Sequence, residues 1–158
     1  MGHLRSYRLT GFSLIELLVV IAIILIITGM ALPPLANARM QALEAGAQKA
    51  ITTIHTAQAQ YQSQYGRYAS TLAELGPPTT GAPSASAAGF ISRGFASGQK
   101  SGYKYSLQPT EVGYTINANP VAFGNTGRRT FYSDQSLITH QNSTAEPASA
   151  DSPEVDPK

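Results

Sequence analysis

The 158-residue chain contains no cysteine and only three histidines. Without cysteine there are no disulfides and no thiolate-ligated metal sites, so a domain exported to an oxidising compartment must be held together by its core alone. No pair of histidines has metal-ligand spacing: His3 lies near the N-terminus, His55 is expected on a helix surface and His140 borders the C-terminal tail. The nucleophile-elbow pattern G-x-S-x-G and the zinc pattern H-E-x-x-H do not occur. The stretch from Gly94 to Ser101 fails the phosphate-loop signature, because Gln99 occupies the place of the glycine required before Lys100. Charge of either sign is sparse and the formal net charge is +2, with no clustered basic face of the kind nucleic acid requires. No catalytic residue, metal site, cofactor or nucleic-acid partner is therefore expected, and the chain does not read as an enzyme.

What the chain does have is one long apolar run. From Leu14 to Leu35 the only clearly polar residues are Glu16 and Thr28. Some 22 residues at 1.5 Å each make roughly 33 Å of helix, enough to cross a bilayer core. Arg5 and Arg8 lie just upstream, which places the N-terminus in the cytoplasm and everything beyond Leu35 outside it. Glu16 is the anomaly. A carboxylate inside an apolar helix costs on the order of 2 to 3 kcal/mol on insertion scales and needs a partner. A cut after Gly11 would create one, since the new amine of Phe12 would be a cation at the head of the helix. One subunit's Glu16 could then meet another's amine, which would favour assembly and fix the axial stagger between subunits. Such a cut also removes Arg5 and Arg8, leaving nine basic and nine acidic side chains.

The stretch Gly11-Phe12-Ser13-Leu14-Ile15-Glu16-Leu17-Leu18-Val19-Val20 resembles the cleavage and methylation motif of type IV prepilins and of the pseudopilins of type II secretion. The resemblance implies cleavage between Gly11 and Phe12 by a prepilin peptidase, N-methylation of Phe12, and polymerisation through the helix, with Glu16 at the fifth mature position. It also implies a homopolymer or related minor pilins or pseudopilins as partners, together with an inner-membrane assembly platform. Pro33 falls where many members of the family carry a helix-breaking proline. Two plainer readings compete. One is an ordinary secretory signal with Ala36-Asn37-Ala38 as its cleavage site, opposed by Glu16 and by the helical pattern that continues past Ala38. The other is a simple signal anchor holding an exported binding domain, which leaves Gly11-Phe12 and Glu16 as accidents.

The rest of the chain predicts an α+β fold: a long N-terminal helix, transmembrane in its first half, packed on a small antiparallel sheet in a pilin-like arrangement. Residues 1–11 read as a leader peptide, 12–35 as the transmembrane or filament-core segment and 36–65 as the amphipathic second half of the helix. Gly29, Pro33 and Pro34 predict a bend rather than an end, because interior proline costs about 3 kcal/mol unless the helix kinks, yet good helix formers resume at once. Met40, Leu43, Ala47, Ala50, Ile54, Ala57 and Tyr61 form a stripe with spacings of three and four, with Glu44 and Gln58 mostly off that line. Gly66 caps the helix, and Ser70 or Thr71 starts a short helical turn that ends at Gly76. Residues 66–102 are expected to be a connector, with a long surface loop from Thr79 to Ser101 that has room for a short helical or strand piece near Phe90. Residues 103–141 are expected to form three or four antiparallel strands. Arg128 and Arg129 read as a solvated hairpin, and Asp134 as a turn cap in preference to a calcium ligand. Residues 142–158, with three prolines and four acids, are expected to be disordered.

Overall fold

A computed structural model describes residues 11–155, apart from the side chains of residues 31–34. The first ten residues of the expected leader, with Arg5 and Arg8, and the last three residues of the chain lie outside the described residues. The chain divides into two compact units, one ending at Ala36 and the other beginning at Asn37.

The first unit is the start of α1 (Leu14–Tyr65). Branched and long aliphatic side chains fill it, and every residue from Gly11 to Met30 is exposed in the isolated chain. Its one mid-span hydroxyl is satisfied locally, since Thr28 Oγ1 donates to the Ile24 carbonyl at 2.7 Å. The helix is continuous through Gly29, Pro33 and Pro34. Both prolines lack an N–H, so the carbonyls of Gly29 and Met30 lose their usual donor four residues on.

In the second unit the later half of α1 is the spine. The stripe is buried as expected at Met40, Ala47, Ala50, Ile54, Ala57 and Tyr61, with Leu43 partly covered, and Ile51 joins it. The helix ends where Gly66 adopts a positive φ of 72° and its N–H reaches the Gln62 carbonyl at 2.8 Å. The connector is more ordered than the sequence led one to expect. α2 (Leu72–Leu75) is capped by Thr71, whose hydroxyl accepts from Glu74 N–H. α3 (Arg93–Ala96) buries Phe95, and Ala88 and Ile91 also enter the core, so Thr79 to Ser101 is not one surface loop. A few well-placed apolar residues anchor a chain otherwise made of Gly, Ala and Ser.

The sheet has five strands rather than three or four. β1 (Gln99–Lys100), β2 (Tyr103–Pro109), β3 (Tyr114–Pro120), β4 (Thr130–Asp134) and β5 (Thr139–Asn142) form an antiparallel meander in chain order. Alternation sets the inner face: Tyr103, Tyr105 and Leu107 on β2, Tyr114, Ile116 and Ala118 on β3, and Phe131 on β4 belong to the same core as the helix stripe. Gly127 is required in the β3–β4 loop, because a Cβ there would collide with the Tyr103 hydroxyl.

Residues 143–155 are packed, contrary to the disorder expected of them. They cross the outer face of the sheet and return along its edge. Thr130 Oγ1 donates to the Glu146 carbonyl at 2.8 Å, Asn117 Nδ2 to the Ala148 carbonyl at 3.0 Å, and His140 Nδ1 to the Ser152 carbonyl at 2.7 Å. Two backbone bonds, Gln141 N–H to Pro153 and Val155 N–H to Thr139, then line the strap along β5. Polar side chains of the sheet satisfy the backbone of a segment that carries no hydrophobic pattern, so composition alone gave the wrong answer.

Candidate functional site

Gly11, Phe12 and Ser13 precede the helix without regular structure, and the first helical bond runs from Leu17 N–H to the Ser13 carbonyl at 3.2 Å. Glu16 turns back toward that end. Its Oε2 accepts the Ser13 backbone N–H at 3.0 Å, satisfying one of the donors that a helix start leaves bare. Ser13-Leu14-Ile15-Glu16 is the S-x-x-E pattern of a capping box. A carboxylate at this point also sits favourably in the positive end of the helix dipole. Phe12 and Ile15 are exposed, so Gly11-Phe12 and the Glu16 carboxylate lie on an open helix end.

Residues 10–32 match the family model of the prokaryotic N-terminal methylation motif. The segment is a prepilin-type signal, as borne by type IV pilins and pseudopilins. No curated protein and no solved structure matches the chain. The prepilin-type signal contains Gly11, Phe12, Glu16 and Gly29, while Pro33 and Pro34 fall just beyond it. α1 is also long and apolar enough to cross a membrane, and such a helix with a prepilin-type signal fits anchoring in the inner membrane.

Away from this signal the structure gathers polar groups that the sequence scattered. His55, expected on the helix surface, is 9 % exposed and lies between β3 and β4. Its Nε2 is 2.8 Å from Ser133 Oγ and its Nδ1 is 2.7 Å from the Tyr114 hydroxyl. Because Ser133 Oγ gives its only proton to the Ile138 carbonyl at 2.7 Å, it accepts from Nε2–H. Nδ1 is then the acceptor for Tyr114, and the neutral imidazole is fully satisfied. Burial holds the His55 pKa below its ordinary value, with the Asp134 carboxylate opposing that shift. Burial likewise pushes the Tyr114 hydroxyl up to about 12.

Glu44 was placed off the stripe but is also buried. Its Oε1 accepts from Arg128 N–H at 2.7 Å, and its Oε2 takes Arg129 Nε and Nη2 at 2.7 Å each. Arg129 is thus bound within the chain and is not a solvated hairpin residue. Gln58, the other residue placed off line, exchanges two hydrogen bonds with the backbone of Ala69 at 2.8 and 2.9 Å. Asp134 Oδ1 accepts from Ser136 N–H at 2.8 Å, which closes the β4–β5 turn, and the Ser136 hydroxyl together with that N–H holds the carboxyl below its usual value. Among the described residues no three His, Asp or Glu side chains come together as a metal site would need.

Proposed function

We propose that the protein is a structural subunit of a type IV pilus or a type II secretion pseudopilus. The observation that carries this reading is the prepilin-type signal with Glu16 at the head of an exposed apolar helix. In this reading prepilin peptidase cuts between Gly11 and Phe12 and the new amine is methylated. The subunit waits in the inner membrane with its N-terminus cytoplasmic and the domain from Asn37 onward outside. It then polymerises, with itself or with related minor subunits, through an inner-membrane assembly platform. Glu16 exchanges its bond with Ser13 for the ammonium of a neighbour, a stronger charge-assisted partner in a low dielectric.

Intact-mass and N-terminal peptide mass spectrometry after co-expression with a prepilin peptidase tests this. A mature chain that begins at Phe12 with one added methyl group is the expected result. A chain that begins at Arg39 would mean that the apolar run was a discarded secretory signal. Glu16→Ala should abolish or sharply reduce filaments seen by electron microscopy while membrane insertion is retained; normal filaments would remove the role given to Glu16.

Gly29, Pro33 and Pro34 are proposed to let the helix bend between its two halves, since two carbonyls there lack helical donors. Replacing both prolines by alanine should slow amide exchange at residues 35–38 in micelles. Unchanged exchange would remove the physical reason for a bend at this point.

A further inference from the structure

The chain holds five asparagines, and one of them opens the tripeptide Asn-x-Ser/Thr with a middle residue other than proline: Asn142-Ser143-Thr144. It lies where β5 ends and the strap begins. Asn142 is half-buried at the strand end, while Ser143, Thr144 and Ala145 are exposed. A three-residue pattern recurs by chance, so its geometry has to carry the argument.

The segment folds back on its own carboxamide. Thr144 N–H and Thr144 Oγ1 both donate to Asn142 Oδ1, each at 3.1 Å. Glu146 N–H donates to Thr144 Oγ1 at 3.3 Å, so the hydroxyl accepts there and its single proton is aimed at the carboxamide. The nitrogen end is held far less. Nδ2 reaches the Glu146 carbonyl at 3.4 Å, well past the roughly 3.0 Å usual for such a bond, and that contact takes only one of its two hydrogens. The other four asparagines have no hydroxyl residue two positions on, and Asn117 spends its Nδ2 on the Ala148 carbonyl at 3.0 Å.

We propose that Asn142 is an acceptor for N-linked glycosylation, taking a saccharide from a lipid-diphosphate donor through a transferase that acts outside the cytoplasm. A carboxamide nitrogen is a poor nucleophile, because its lone pair is delocalised into the carbonyl. When a carboxylate base of the transferase removes one Nδ2 proton, negative charge gathers on Oδ1, where the two Thr144 donors stabilise it. The freed nitrogen pair attacks the anomeric carbon. The N–C bond forms as the C–O bond to the diphosphate breaks, and the diphosphate departs with that bonding pair. Thr144 is a positioning residue in this step, acting through Oδ1. A bulky, hydrated saccharide suits this surface turn, which presents three exposed residues in a row. The inference rests on the function proposed above only in placing the domain from Asn37 onward outside the cytoplasm.

Mass spectrometry of the full chain purified from its own cells, with electron-transfer fragmentation of the tryptic peptide 130–158, tests the proposal. That peptide contains no second asparagine. The expected result is a mass of hexose or N-acetylhexosamine units on Asn142. It should be lost in Asn142→Gln and in Thr144→Ala, and retained in Thr144→Ser, which keeps the hydroxyl. If Asn142→Gln does not accumulate, the two Thr144 variants decide. Bare Asn142 in the native protein overturns the proposal, as does a glycan that survives Thr144→Ala or that maps to a serine or threonine alone. The same spectra read the N-terminus of the chain. A chain that begins at Phe12 with bare Asn142 removes this inference and leaves the filament reading, whereas glycosylated Asn142 on a chain that begins at Arg39 does the reverse.

Discussion

Single buried carboxylates and amides add to the shared apolar core in tying the elements of this small cysteine-free domain together. Glu44 receives three donors from Arg128 and Arg129, so Glu44→Ala strands an arginine and a backbone N–H in a partly covered site. A loss of about 3 kcal/mol is expected in the thermal or urea unfolding of the domain followed by circular dichroism. A loss below about 0.5 kcal/mol would show the pair to be as weak as a surface bridge. Glu74 illustrates the acid limit. Burial would raise its carboxyl, but hydrogen bonds from Arg67, Ser70 N–H and Tyr61 outweigh it and hold the carboxyl below its ordinary value of 4.5. Its stabilising contribution is thus complete above pH 4.5 and falls away below it. Glu74→Gln should flatten the dependence of melting temperature on pH below that value; an unaltered slope would show that Glu74 contributes nothing there. Such residues were not legible in the sequence. Helical periodicity sorts side chains by polarity, so Glu44, His55 and Gln58 looked like solvent-facing positions, and only the loops that return to them reveal their partners.

Among the elements, the outermost layer of the sheet departs furthest from expectation. The strap from Glu146 to Val155 covers the outer face at Ala148, which is 3 % exposed, and pairs with β5, whose edge would otherwise be open. Glu154 adds a charge to that outer position, which discourages edge-to-edge association. Removing residues 145–158 should leave Asn117 and His140 without their carbonyl partners and Thr130 without its closer one. It should lower the melting temperature by several degrees, on the order of 1–2 kcal/mol, and produce concentration-dependent association in light scattering. A truncated chain as stable and monodisperse as the full one would show the strap to be ornamental. The strands themselves were easier to anticipate, because Tyr103–Leu107 and Tyr114–Ala118 alternate cleanly and face each other in register. β5 was harder: it has no fully buried residue.

For the molecule as a whole, the most legible part of the sequence was the part that owes least to tertiary contacts. An apolar run, a basic prelude and one misplaced carboxylate define the prepilin-type signal without reference to anything distant, and residues 10–32 match accordingly. The α+β architecture followed from periodicity and turn residues. The polar joints did not, because they are agreements between residues as far apart as Glu44 and Arg129 or His55 and Ser133. The local bond between Ser13 and Glu16 has a further consequence on the assembly reading. A carboxylate that already holds a donor of its own chain is not left bare when the subunit is stored as a monomer in lipid. Incorporation then replaces one donor with a better one, and departure restores the first. On that reading growth and disassembly become the two directions of a single exchange, with the carboxylate holding a donor on either side.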